Sequence, residues 1–108
     1  MVLAGIVLVG IAMQMDDYVI ETLMRDLVGH DRRPASFLVY LWLMSEQARR
    51  KGEVEVSYQG MAEAIGISKS AAQGAVGWLR RRKLVVVEKA SATAVPVYGV
   101  KMPWRRGR

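Results

Sequence analysis

The sequence predicts an α+β domain, mainly α: a three-helix core with a small antiparallel sheet and an extra N-terminal helix. Three observations carry that expectation. Two short amphipathic stretches, one opening after Ser57 and one after Ser68, are joined across Gly66. Two β-branched runs, 84–88 and 95–100, flank a loop of small residues. A length of 108 residues with 52% apolar side chains is one domain's worth of chain, able to form a packed core.

Composition removes several classes of function. There are no cysteines, which excludes disulfide scaffolds, thiol catalysis and cysteine-held zinc or iron–sulfur centres. A lone histidine, His30, excludes a histidine-rich metal site, so neither metal nor cofactor is expected. The net charge of +6 is unevenly spread. Residues 1–67 hold 6 Lys/Arg against 9 Asp/Glu, whereas residues 68–108 hold 10 Lys/Arg against the single acid Glu88. Such a cationic carboxy-terminal part points to a polyanionic partner.

Residues 1–15 form an apolar N-terminal segment with no charged side chain. Its apolar stretch, Met1 to Met13, is shorter than the roughly 20 residues of a spanning helix and lacks a basic leader, so no membrane role is expected. From Asp16 the pattern is helical. Asp16 and Asp17 suit a helix start, Ile20, Leu23, Met24, Leu27 and Val28 recur at helical spacing, and Gly29 suits the end. With no further core to cover this face, residues 16–33 are read as a dimerisation helix and hinge. Residues 1–15 read either as a buried or oligomer-forming segment that joins the dimer contact, or as an upstream extension of a chain whose start is Met13 or Met15. His30 beside Asp31 reads as a capping or solvated loop histidine, since no nucleophile accompanies the pair.

Pro34 fits the first turn of the next helix. Phe37, Leu38, Leu41, Trp42, Met44 and Ala48 mark its apolar face, and Arg49-Arg50-Lys51-Gly52 suits its end, with Gly52 as the left-handed stop. The alternation in 53–57 predicts a short strand. Ser57 and Ser68 then cap the two helices on either side of Gly66. Met61, Ala62 and Ile65 face inward from the first; Ala72, Ala75, Val76 and Leu79 face inward from the second, which spans 68–83. So short a glycine turn forces a steep crossing, the geometry of a helix-turn-helix. Pro96 in the last run places that strand at a sheet edge, or Pro96 at its start. The C-terminal residues 101–108 form a basic tail, read as flexible, with docking of Trp104 on the domain as an option.

A helix-turn-helix running into a two-stranded hairpin, with 53–57 as third strand, is the order of a winged helix. Residues 34–100 resemble the winged helix-turn-helix DNA-binding domain of bacterial transcription regulators, broadly the GntR-like kind, here as a stand-alone domain. The stretch Ala62-Glu63-Ala64-Ile65-Gly66-Ile67-Ser68-Lys69-Ser70, with Leu79 and Lys83-Leu84-Val85, carries that resemblance. It implies a cytoplasmic, nucleoid-associated regulator whose helix 68–83 reads the major groove of double-stranded DNA while the wing, 89–94, meets backbone or an adjacent groove. Regulators of this family usually add a larger effector domain, for which these residues leave no length.

The outward positions then become the candidate contacts: Ser68, Lys69, Ser70, Gln73, Gly74, Gly77, Arg80 and Arg81 on the reading helix, Tyr58 and Gln59 on the helix before it, and Lys89, Ser91 and Thr93 on the wing. Gln73 suits a bidentate bond to adenine, and Lys69 suits guanine or a phosphate. Gly74 and Gly77 each cost about 1 kcal/mol inside a helix. A close approach of DNA and close packing of another helix explain them equally well. Trp78, large for an outward position, is expected against the wing or a partner. The alternative function is a winged-helix scaffold that binds protein without specific DNA binding. Catalysis is not expected, because no nucleophile–base pair or phosphate loop is present.

Overall fold

The structure, a computed structural model, describes residues 15–105. The N-terminal segment 1–14, with its expected part in dimerisation, and the end of the basic tail, 106–108, lie outside the described residues. The chain is mainly helical with a three-stranded antiparallel sheet, an α+β arrangement.

The N-terminal helix is wound more widely than the sequence reading expects. It consists of two π-helical pieces, Val19–Leu23 and Arg25–His30, meeting at Met24. Their hydrogen bonds close from residue i+5 to residue i, as in Asp31 N–H to Asp26 O at 2.7 Å. This winding narrows the inward stripe to every fourth residue. Val19, Leu23 and Leu27 are buried, while Ile20, Met24 and Val28 form a neighbouring exposed stripe. The expectation that this helix has no core to enter is therefore corrected, because half of its apolar residues complete the one core. The helix also runs through Gly29, and Arg32 takes the left-handed conformation at φ 57°.

Helix α1 (Pro34–Arg50) begins with Pro34 in its first turn, as expected. It is surrounded rather than amphipathic. Val39, Tyr40 and Leu43 are fully buried beside Phe37 and Met44, whereas Leu38, assigned to the apolar face by spacing, is exposed. Its end is also not where glycine predicts it: Lys51 is the left-handed residue at φ 58°, and the following Gly52 N–H reaches Gln47 O at 3.2 Å. The buried Glu46 carboxylate is paired with Arg49 and Arg50. Both arginines are thus tied to their own helix.

Helices α2 (Tyr58–Ile65) and α3 (Lys69–Arg81) follow the sequence closely. Ser57 Oγ accepts from Gly60 N–H at 2.9 Å, and Ser68 Oγ accepts from Ala71 N–H at 3.0 Å, so each helix has its hydroxyl cap. Gly66 between them sits at φ 91°, a conformation that penalises a Cβ. All four residues expected to face inward on α3, Ala72, Ala75, Val76 and Leu79, are buried. The two alanines let α3 pack closely against α1 and α2. α3 stops with Lys83 at φ 61° and Leu84 N–H bonded to Leu79 O at 2.9 Å, a Schellman-type closure.

Strands β1 (Val54–Glu55), β2 (Val85–Glu88) and β3 (Val97–Val100) pair antiparallel in the order β1-β3-β2. Val54 faces Tyr98 across one side, and Val87 faces Tyr98 across the other. β3 is therefore the central strand, which settles the two readings of Pro96. It precedes the strand rather than lying on an edge, and its carbonyl still accepts from Val56 N–H at 3.2 Å. The expected strand 53–57 shrinks to two residues because this last bond falls outside regular pairing.

Polar links between distant segments fasten this frame. Tyr40 OH donates to Lys101 O at 2.8 Å, and Val100 N–H donates to Gln47 Oε1 at 2.9 Å, tying α1 to the end of β3. Asp16 is a clamp rather than a helix cap. Its carboxylate accepts from Trp104 Nε1 at 2.7 Å and from Arg105 Nε at 2.7 Å, while Tyr18 stacks on Trp104 with centroids 4.7 Å apart. Trp104 thus docks, and the described part of the C-terminal tail is held down. No helix among the described residues is long and apolar enough to cross a membrane.

Candidate nucleic-acid interface

The inward stripe of α3 dictates which side chains turn outward. Lys69, Ser70, Gln73, Gly74, Gly77 and Arg80 are all exposed along the opposite side of the helix. Lys69 and Ser70 lie in the first turn, where the capped N-terminus also presents the positive end of the helix dipole. Ser68 occupies the cap itself. Its hydroxyl oxygen is engaged by Ala71 N–H, so its role is to fix the helix start.

The helix crossing at Gly66 brings the starts of α2 and α3 together, and the loop between β2 and β3 folds over them. The result is a groove of about 220 Å³ lined by Tyr58, Gln59, Lys69, Lys89 and Thr93. Five expected contact residues from three separate segments therefore share one surface. Gln59 is oriented by Glu63, whose carboxylate accepts from Gln59 Nε2 at 2.8 Å. Among the described residues, Lys69 and Lys89 form no ion pair. Ser91 is exposed in the same loop but is not on the groove wall.

The two glycines of α3 acquire a clearer reading here. A Cβ at Gly74 or at Gly77 would meet nothing within 4 Å. Among the described residues, packing therefore requires neither glycine, and of the two readings the sequence leaves level, packing against a described helix of this chain is removed. Gly74 also lines a second groove, of about 300 Å³, shared with Ser70 and the segment Arg32–Ser36 that enters α1.

The cationic run at the end of α3 divides into different roles. Arg82 is engaged by the nearly buried Asp31 carboxylate and lies 4.0 Å from Asp26. Trp78 Nε1 donates to the same Asp31 at 2.8 Å, and the guanidinium groups of Arg33 and Arg81 lie 4.4 Å and 5.7 Å from the Trp78 ring centroid. Trp78 therefore packs toward the entry to α1 and not against the β2–β3 hairpin, correcting the first of its two expected positions. Burial alone would push the Asp31 carboxyl up, but hydrogen bonds from His30 and Trp78 and the charge of Arg82 hold it below its ordinary value. Arg80, exposed and in no ion pair among the described residues, faces outward with Lys69 and Gln73.

Sequence reading missed Asp31, Arg33 and Trp78 as one assembly. Their only local signal is charge beside Pro34, because Asp31 and Trp78 are 47 residues apart. It also missed Arg32 and Ser36 as neighbours of the α3 face. Comparison of the chain with family models, with curated proteins and with solved structures gives no match in any of the three.

Proposed function

We propose that the chain is a winged helix-turn-helix DNA-binding protein acting as a homodimeric transcription regulator in the cytoplasm, at the nucleoid. In this reading α3 enters the major groove with Lys69, Ser70 and Gln73 leading. The β2–β3 loop, the wing, contacts backbone or the adjacent groove through Lys89, Ser91 and Thr93. The observation that carries it is the shared groove in which Tyr58, Gln59 and Lys69 meet Lys89 and Thr93. Among the described residues, that surface joins two lysines without acid partners to a helix face on which Gly74 and Gly77 have no packing neighbour. A wide major groove accepts such a helix, and the lysines supply phosphate neutralisation.

Dimerisation follows from the same economy of surfaces. A single such domain offers few base contacts, and two copies one helical turn apart give a specific site. The exposed stripe of Ile20, Met24 and Val28 on the N-terminal helix supports a two-fold contact there. Titration of mixed-sequence duplex DNA across salt concentrations tests the DNA reading. With about 5 phosphate contacts the log–log slope is expected to be about −4.5. Absence of binding at low salt would overturn it in favour of a protein-binding scaffold.

A further inference from the structure

We infer that the N-terminal end of α1 binds a phosphate group in the groove between Arg32–Ser36 and the exposed face of α3. Four features converge there. α1 is a 17-residue helix that starts without a side-chain cap. Pro34 has no N–H and Ser36 N–H is bonded to Arg33 O at 3.0 Å, so the Ala35 N–H is the first-turn donor left, at the positive end of a full helix dipole. Arg32 and Arg33 immediately precede it, both exposed and in no ion pair among the described residues. Arg33 is committed to the Trp78 ring and contributes potential, which leaves Arg32 as the free donor fork.

The fourth feature is Ser36. It forms part of the groove wall and is 1% exposed, yet its Oγ has no hydrogen-bond partner. A serine in a helix ordinarily satisfies its hydroxyl on the carbonyl one turn back. Here the hydroxyl is a spare donor in the wall of a groove that Arg32 and Arg33 also line, and a tetrahedral oxyanion there can engage it together with Arg32 and the Ala35 N–H. The groove of about 300 Å³ has room for such a group, and its far wall is Ser70 and Gly74 of α3.

That far wall identifies the source as a backbone phosphate of the duplex whose groove α3 enters, an assignment that rests on the proposed DNA reading. A free phosphate compound offers the same chemistry, and the two sources separate experimentally. Amide shifts of Ala35, Ser36 and Phe37 in the full chain are followed by NMR during titration with inorganic phosphate against chloride at equal ionic strength. Saturable shifts are expected, with apparent affinity about tenfold weaker in Arg32→Gln and again weaker in Ser36→Ala. Thermal melts of both variants exclude loss of fold as the cause. In parallel, the salt dependence of duplex binding is measured for wild type and Arg32→Gln. A slope flatter by about one unit in the variant assigns the phosphate to the duplex. Saturable phosphate shifts with an unchanged slope, or with no duplex binding at all, keep the site and assign it to a free phosphate compound. Absence of saturable phosphate shifts while duplex binding keeps its full slope in Arg32→Gln overturns this inference and leaves the DNA reading standing.

Discussion

Single side chains at this surface fall into those that hold the frame and those that remain unused by it. Gln73 and Lys69 belong to the second group, since both are exposed on α3. Gln73→Ala and Lys69→Ala should each weaken a preferred duplex site by about 1–3 kcal/mol and relax discrimination, as measured by competition against single-base variants of that site. The fold should be untouched. Asp31 belongs to the first group. Its carboxylate satisfies Trp78 and Arg82 at once, so Asp31→Ala should cost about 2 kcal/mol in urea unfolding, leaving a half-buried indole N–H and a guanidinium without their acceptor. Asp16 gives a sign that can be worked out. Hydrogen bonds from Arg105 and Trp104 hold its carboxyl down to about 2, so the clamp stabilises the fold above its ordinary value near 3.8 and is lost as pH falls between the two. Trp104 fluorescence should report that loss, and Asp16→Asn should abolish the acid step.

Helices and strands show where local pattern was sufficient. The inward stripe of α3, the two serine caps and the left-handed Gly66 were all legible, because each depends on neighbours within one or two turns. The N-terminal helix was misread for a physical reason: i→i+5 winding splits its apolar residues into two stripes, turning Val19, Leu23 and Leu27 into a core that the sequence reading did not provide for and leaving Ile20, Met24 and Val28 outside. On α1 the start at Pro34 was legible, but burial around most of its circumference blurs any single stripe, so the reading missed Val39, Tyr40 and Leu43 and wrongly included Leu38, and its stop falls at Lys51 although a glycine follows. Of the candidate contacts, spacing located those on α3, but the gathering of Tyr58 and Gln59 with Lys89 and Thr93 depends on the loop folding back, which no local pattern encodes. The glycines give the sharpest test at this scale. Gly74→Ala and Gly77→Ala meet no steric obstacle, so each should stabilise α3 by up to about 1 kcal/mol in thermal melts. If the backbone lies close to DNA, the same changes should weaken duplex binding, separating stability from affinity. A gain in both would remove close approach as the reason for these glycines.

The whole molecule divides its labour by surface. The Asp16 clamp joins the start of the N-terminal helix to Trp104 and Arg105, and Asp31 joins the end of that helix to α3. The N-terminal helix is therefore fixed relative to α3, and a contact made through its exposed stripe would set the spacing between two copies of α3. Met24→Glu should dissociate such a dimer in sedimentation at micromolar concentration without unfolding the monomer, since Met24 lies outside the core. A wild-type monomer at that concentration would remove the dimer from this account. The claim on which the functional reading depends is that the outward face of α3 reads base sequence. Selection of bound sequences from a random duplex pool tests it most directly, run in parallel for the wild-type chain and Gln73→Ala. The account predicts a shared enriched sequence for wild type, with the preference relaxed at one position of each half-site in the variant. A wild-type pool indistinguishable from its input, or one that Gln73→Ala leaves identical at every position, would contradict it.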